Sequence, residues 1–145
     1  MNRFFAFLFF AVSLTATDWE YTYTFRLKKD ETARIEVHKN LQNPSSLSGV
    51  MEFRWTLYKN EGLVLLVKYE GFPRQYVLYR KNDRDFIKIS LSKKPPKEWL
   101  ESYLLMKFED FDEKSYTAVL GVFIKSPLKE FEVSFIEPKR KQRVR

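Results

Sequence analysis

With no cysteine and a single histidine, the chain offers few starting points for chemistry. The histidine is His38, so any Ser–His–Asp relay has to run through it. It closes an alternating segment beside Lys39, a setting that predicts an exposed side chain rather than a catalytic one. No G-x-S-x-G elbow accompanies it, and four glycines do not make a phosphate-cradling loop. A His-rich metal site would need a second histidine. The remaining candidates are carboxylates. Asp83 and Asp85 are two apart and share a face if the segment is extended, where paired carboxylates can split their pKa values for acid–base work. They flank Arg84 in a turn-like stretch, and solubility explains them. Glu109, Asp110, Asp112 and Glu113 could offer hard oxygen ligands to calcium. They lack the spacing and the glycine of a calcium loop, so they read as a solvated hairpin tip. The missing cysteines exclude thiol catalysis, Cys-ligated zinc and iron–sulfur clusters. No cofactor and no enzymatic activity are expected.

The net charge of +7 has a location. Arg3 carries one positive charge, and Lys139, Arg140, Lys141, Arg143 and Arg145 carry five more. Removing those six leaves +1 for residues 17–138. The body is nearly neutral and the basic character belongs to a tail over 139–145. A nucleic-acid-binding domain carries its basic face within the fold, so no nucleic-acid partner is expected. A basic tail can instead dock on an anionic membrane surface.

The N-terminus reads as a leader. Met1-Asn2-Arg3 precedes an apolar run from Phe4 to Leu14, followed by Thr15-Ala16, the pattern of a secretory signal peptide. The run is shorter than the ~20 apolar residues that span a bilayer. The expected outcome is export to a periplasmic or extracellular space with cleavage after Ala16. An uncleaved N-terminal anchor is the alternative.

Residues 17–138 have the length of one domain with its own core, and alternation dominates them. Trp19, Tyr21, Tyr23, Phe25 and Leu27 face one way, while Glu20, Thr22, Thr24, Arg26 and Lys28 face the other, as in a strand with one buried face. Ala33, Ile35 and Val37 repeat the pattern, as do Met51, Phe53, Trp55 and Leu57. Leu63 to Val67 is apolar on both faces and predicts a central strand covered on both sides. Further strands follow over Gln75–Lys81, Phe86–Leu91, Tyr116–Lys125 and Phe131–Phe135. Gly62 is expected to take a positive φ in a turn, and Gly121 to mark a bulge or a close packing point. Trp99, Leu100, Tyr103 and Leu104 sit at helical spacing after Pro96, which predicts a short helix over 96–102. The segment Tyr103–Phe111 reads equally as strand. About nine short strands separated by turn residues predict an all-β, single-domain antiparallel β-sandwich, or a small closed or half-open barrel.

One internal echo remains. Leu66-Val67-Lys68-Tyr69-Glu70-Gly71-Phe72 resembles Leu105-Met106-Lys107-Phe108-Glu109-Asp110-Phe111. Chance convergence of strand-to-turn segments explains it; read functionally, two hairpin tips present Phe72 and Phe111. The sequence as a whole reads as an exported interaction or accessory module of the cell envelope. Its expected contact residues are Phe72, Phe111, Lys139, Arg140, Lys141, Arg143 and Arg145. Its expected partners are an envelope protein or an anionic membrane surface, with homodimerisation through a bare strand edge as a further option. A carrier of a hydrophobic small molecule or lipid is the alternative, and a carboxylate-dependent hydrolase the weakest reading.

Overall fold

The computed structural model describes residues 18–39, 47–92, 97–129 and 131–140. The expected leader, much of the loop before Gly49, and Lys141, Arg143 and Arg145 lie outside the described residues. Among the described residues nine strands follow in chain order: β1 Tyr21–Lys28, β2 Ala33–Lys39, β3 Leu47–Lys59, β4 Gly62–Tyr69, β5 Phe72–Tyr79, β6 Phe86–Ser90, β7 Tyr103–Asp112, β8 Thr117–Lys125 and β9 Phe131–Ile136. They form two antiparallel sheets, β1-β8-β7-β6 and β5-β4-β3-β2-β9. The sheets do not close into a barrel, so the architecture is the β-sandwich.

The alternation of the sequence becomes the inside and outside of this sandwich. Phe25 and Leu27 of β1, Ile35 and Val37 of β2, Phe53 and Trp55 of β3, and Leu63 and Leu65 of β4 are fully or almost fully buried. Met106 and Phe108 of β7 and Leu120 and Val122 of β8 close over them from the other sheet. Phe25 meets Phe53 edge-on at 5.1 Å, and Tyr58 stacks on Phe111 at 3.7 Å between ring centroids. Trp55 Nε1 donates a 2.7 Å hydrogen bond to the Leu27 carbonyl, tying the sheets through the core. A buried indole N–H without that partner would cost free energy.

Two hairpin turns have two residues each. Asn60 and Glu61 join β3 to β4, and Glu70 and Gly71 join β4 to β5, all four with positive φ. That backbone matches the twist of the flanking strands. Gly62 itself is not in the positive-φ region. Its requirement is space, because a Cβ there would lie 2.8 Å from the Tyr79 ring. Gly121 is a close packing point as expected. The bulge lies further along β7, opposite Leu120 and Val119, where the register shifts between Phe108 and Asp110, and its Glu109 side chain lies over the glycine.

Three expectations change. The helix over 96–102 reduces to one 3₁₀ turn, Glu98–Leu100. Trp99 is exposed there, so no apolar face supports a longer helix. The strand Leu63–Val67 is central in its sheet, but only Leu63, Leu65 and Val67 are buried; Val64 and Leu66 are half-buried on the outer face. Trp19 precedes β1 and does not share its inner face. It packs against Tyr103 and Phe123, whose neighbours Leu104, Val122 and Ile124 fill the core.

Candidate functional site

The residues singled out for contact separate into two regions and the core. Phe72 opens β5, an edge strand, and is 71% exposed. Phe111 is 6% exposed and stacks between Tyr58, Trp55 and Tyr116. The paired-tip reading is therefore corrected: only one copy of the echo presents its phenylalanine. The bulge at Glu109 adds one residue to β7 and so reverses which side chains face inward. Without it Phe111 would point outward.

The first region is the free edge of β5. The two-residue turn makes Tyr69 and Phe72 a hydrogen-bonded pair, so Phe72, Arg74, Tyr76 and Leu78 bond to β4. Pro73, Gln75, Val77 and Tyr79 then direct their backbone groups outward. Pro73 has no N–H to offer, and Tyr79 N–H is donated to the Arg84 carbonyl at 2.9 Å. Gln75 and Val77 are left with both backbone groups on an open edge. Beside them on the outer face stand Val77, Tyr79 and, through the Val64 row, Leu57, each at least 39% exposed.

The second region is the opposite end, where β1 and β9 approach. Tyr21 Oη donates to the Phe131 carbonyl at 3.0 Å and Tyr23 Oη to Glu137 Oε1 at 2.7 Å. The latter bond holds the Tyr23 phenol above its ordinary pKa. The chain past β9 continues along β1 as far as Arg140. Arg140 Nη2 donates to the Arg26 carbonyl at 2.9 Å, and Arg140 Nε lies 3.3 Å from Glu31 Oε1. Glu31 Oε2 also accepts the Lys28 N–H at 2.9 Å. Two clefts open here. One, of about 380 Å³, is lined by Arg26, Lys28, Glu31, Asp112, Ser115, Thr117 and Arg140. The other, of about 350 Å³, shares Arg26 and Arg140 and adds Thr24, Glu137 and Pro138. Lys139 is exposed beside them.

The candidates for catalysis disperse. His38 Nε2 is 3.7 Å from Glu36 Oε2 on the outer face of β2, and its buried Nδ1 finds no hydrogen-bond partner among the described residues. Asp83 lies in a turn with positive φ, while Asp85 faces Lys107 at 3.6 Å. Of the acidic cluster, Asp110 pairs with Arg80 at 2.7 Å. Asp112 accepts the Ser115 hydroxyl and the backbone N–H groups of Lys114 and Ser115. Those bonds, the hydroxyl's foremost, hold its carboxyl below the ordinary range. Among the described residues no three His, Cys, Asp or Glu side chains are grouped to hold a metal ion.

Comparison with models of known protein families, with curated proteins and with solved structures finds no match. Sequence reasoning missed the Arg26–Lys28–Arg140 grouping. Its signal was present in the outward-facing cations of β1 and the first cations of the tail. What was missing was the knowledge that β1 and β9 share an end.

Proposed function

We propose that the protein is an exported interaction module of the cell envelope, which takes up an extended segment of a partner protein along β5. Its basic C-terminal end supplies a second contact by docking the module on an anionic surface. The observation that carries this reading is the open edge at Gln75 and Val77 with its exposed apolar shoulder. Main-chain hydrogen bonds to such an edge supply affinity, and alternate side chains supply specificity. Phe72, Val77 and Tyr79 are the side chains positioned to do that.

A foreign strand suits this edge better than a second copy. Two copies of β5 pairing antiparallel about Tyr76 would bond Gln75 to Val77 in both directions. The same register sets the Pro73 carbonyl against the committed N–H of Tyr79, and the Tyr79 carbonyl against a proline. Those carbonyls would stay unsatisfied at the interface.

The test is photo-crosslinking from position 75 of the full chain in cells that export it. The expected product is one discrete adduct, mapped to an extended segment of another envelope protein and lost on Val77→Pro. That substitution removes an edge donor and no ladder bond within β5 and β4. An adduct at twice the mass of the chain would replace the partner with a second copy. No adduct, or one indifferent to Val77→Pro, would sink strand addition.

A further inference from the structure

We infer that the cleft between β1 and Arg140 is a binding site for the phosphate of an anionic membrane headgroup. The inference rests on the surface-docking half of the function proposed above and assigns it to named side chains. Arg26 and Lys28 are two apart on β1 and share its outer face, opposite Val119 and Thr117 of β8. Glu31 pairs with Arg140 and accepts the Lys28 N–H, and Asp112 accepts the bonds of the turn that follows it. Arg26 acts on Asp112 through space without a close ion pair among the described residues, and the guanidinium and the Lys28 ammonium both line the open cleft.

Three cations, Arg26, Lys28 and Arg140, against two carboxylates, Glu31 and Asp112, leave a net charge of +1 on an open concavity. The two flanking turns do not offset it, since Lys29 cancels Asp30 and Glu113 cancels Lys114. Arginine binds phosphate oxygens in pairs, lysine binds them as a point charge, and the cleft supplies both. The hydroxyls of Ser115 and Thr117 stand within it as further polar groups. The geometry selects a surface-borne phosphate over a free one on two grounds. The cleft opens to solvent, and the chain leaves it at Arg140 toward Lys141, Arg143 and Arg145. In the sequence three more cations follow Arg140, and each cation near an anionic surface adds to the attraction.

The experiment is co-sedimentation of the full chain, without its leader, on vesicles of equimolar phosphatidylcholine and phosphatidylglycerol, against phosphatidylcholine alone. Binding is expected only to the anionic vesicles and is expected to weaken with salt. Arg26→Gln with Lys28→Gln is expected to lower the partition coefficient by roughly 25-fold, about fivefold per cation. Lys68→Gln with Arg74→Gln removes the same charge at the other end of the molecule and is expected to change it less than about twofold. Unfolding in urea shows whether each pair of substitutions leaves the fold intact.

If the wild-type chain ignores anionic vesicles, surface docking itself fails. If it binds and both double variants lose equally, the attraction is net charge alone and the cleft is overturned. A loss confined to a chain lacking residues 141–145 would assign docking to the tail and overturn the cleft as well. Saturable binding of inorganic phosphate in solution with no vesicle binding would overturn the membrane as its source.

Discussion

Leu66–Phe72 and Leu105–Phe111 begin with the same alternation and end with opposite consequences. In the first segment the chain turns after Tyr69, and Phe72 emerges at the start of an edge strand. In the second the chain gains one residue at Glu109, continues as β7, and drives Phe111 into the core. Similar residues at similar spacing thus produce an exposed ring in one sheet and a core ring in the other. A side-chain period of two makes a single inserted residue decisive. The difference between an exposed and a buried phenylalanine is set by backbone register here, and the chemistry of the side chain has no part in it.

The largest effect should come from the two rings themselves. Phe111→Ala removes a stacked, buried side chain and is expected to cost about 3–5 kcal/mol. Phe72→Ala removes an exposed one and is expected to stay within about 0.5 kcal/mol. Urea denaturation of both variants checks the contrast. Equal costs would mean that Phe72 is buried in solution and unavailable to a partner.

The contact beside the bulge can be probed at the glycine that Glu109 covers. Gly121→Ala sets a Cβ against the Glu109 carboxylate, the far end of an exposed, flexible side chain that can swing aside. It is expected to cost less than about 1 kcal/mol, and Glu109→Ala should relieve what cost there is. A double-mutant cycle reads that coupling. A larger cost that Glu109→Ala does not relieve would place the clash at Phe123, the next group the Cβ meets.

The fold was legible in the sequence to the extent that alternation survives without a break. Phe25, Ile35 and Phe53 are buried in the phase their strands predict. The misreadings share one cause, a local departure from that period. Trp19 lies two residues before the regular ladder begins and packs on the outer-face rings Tyr103 and Phe123. Phe111 follows a bulge whose only mark in the sequence is two consecutive acids, and a solvated tip has those as well. The candidate site was legible in part. Phe72 beside Gly71 announces an exposed tip, and the cations of the tail are plain. The cleft depends on Arg140 reaching back to β1, 114 residues away along the chain, and no local pattern encodes such a contact.

The turns after the two segments give the finest test. The first relies on backbone, with Glu70 and Gly71 at positive φ. The second relies on a side chain, with Asp112 accepting the bonds of Lys114 and Ser115. Because those bonds depress the folded-state pKa of Asp112, the unfolded chain takes up the proton first as the pH falls. The stability they contribute is whole well above the ordinary value of 3.8 and is lost as the pH falls through the lower folded-state value. Wild-type stability in urea should therefore drop more steeply below about pH 5 than that of Asp112→Asn. At neutral pH the variant should be slightly the weaker, and the two should converge in acid. If the acid profiles of the wild type and Asp112→Asn coincide, the side-chain bonds contribute no stability to the second turn and the contrast with the backbone-set first turn fails.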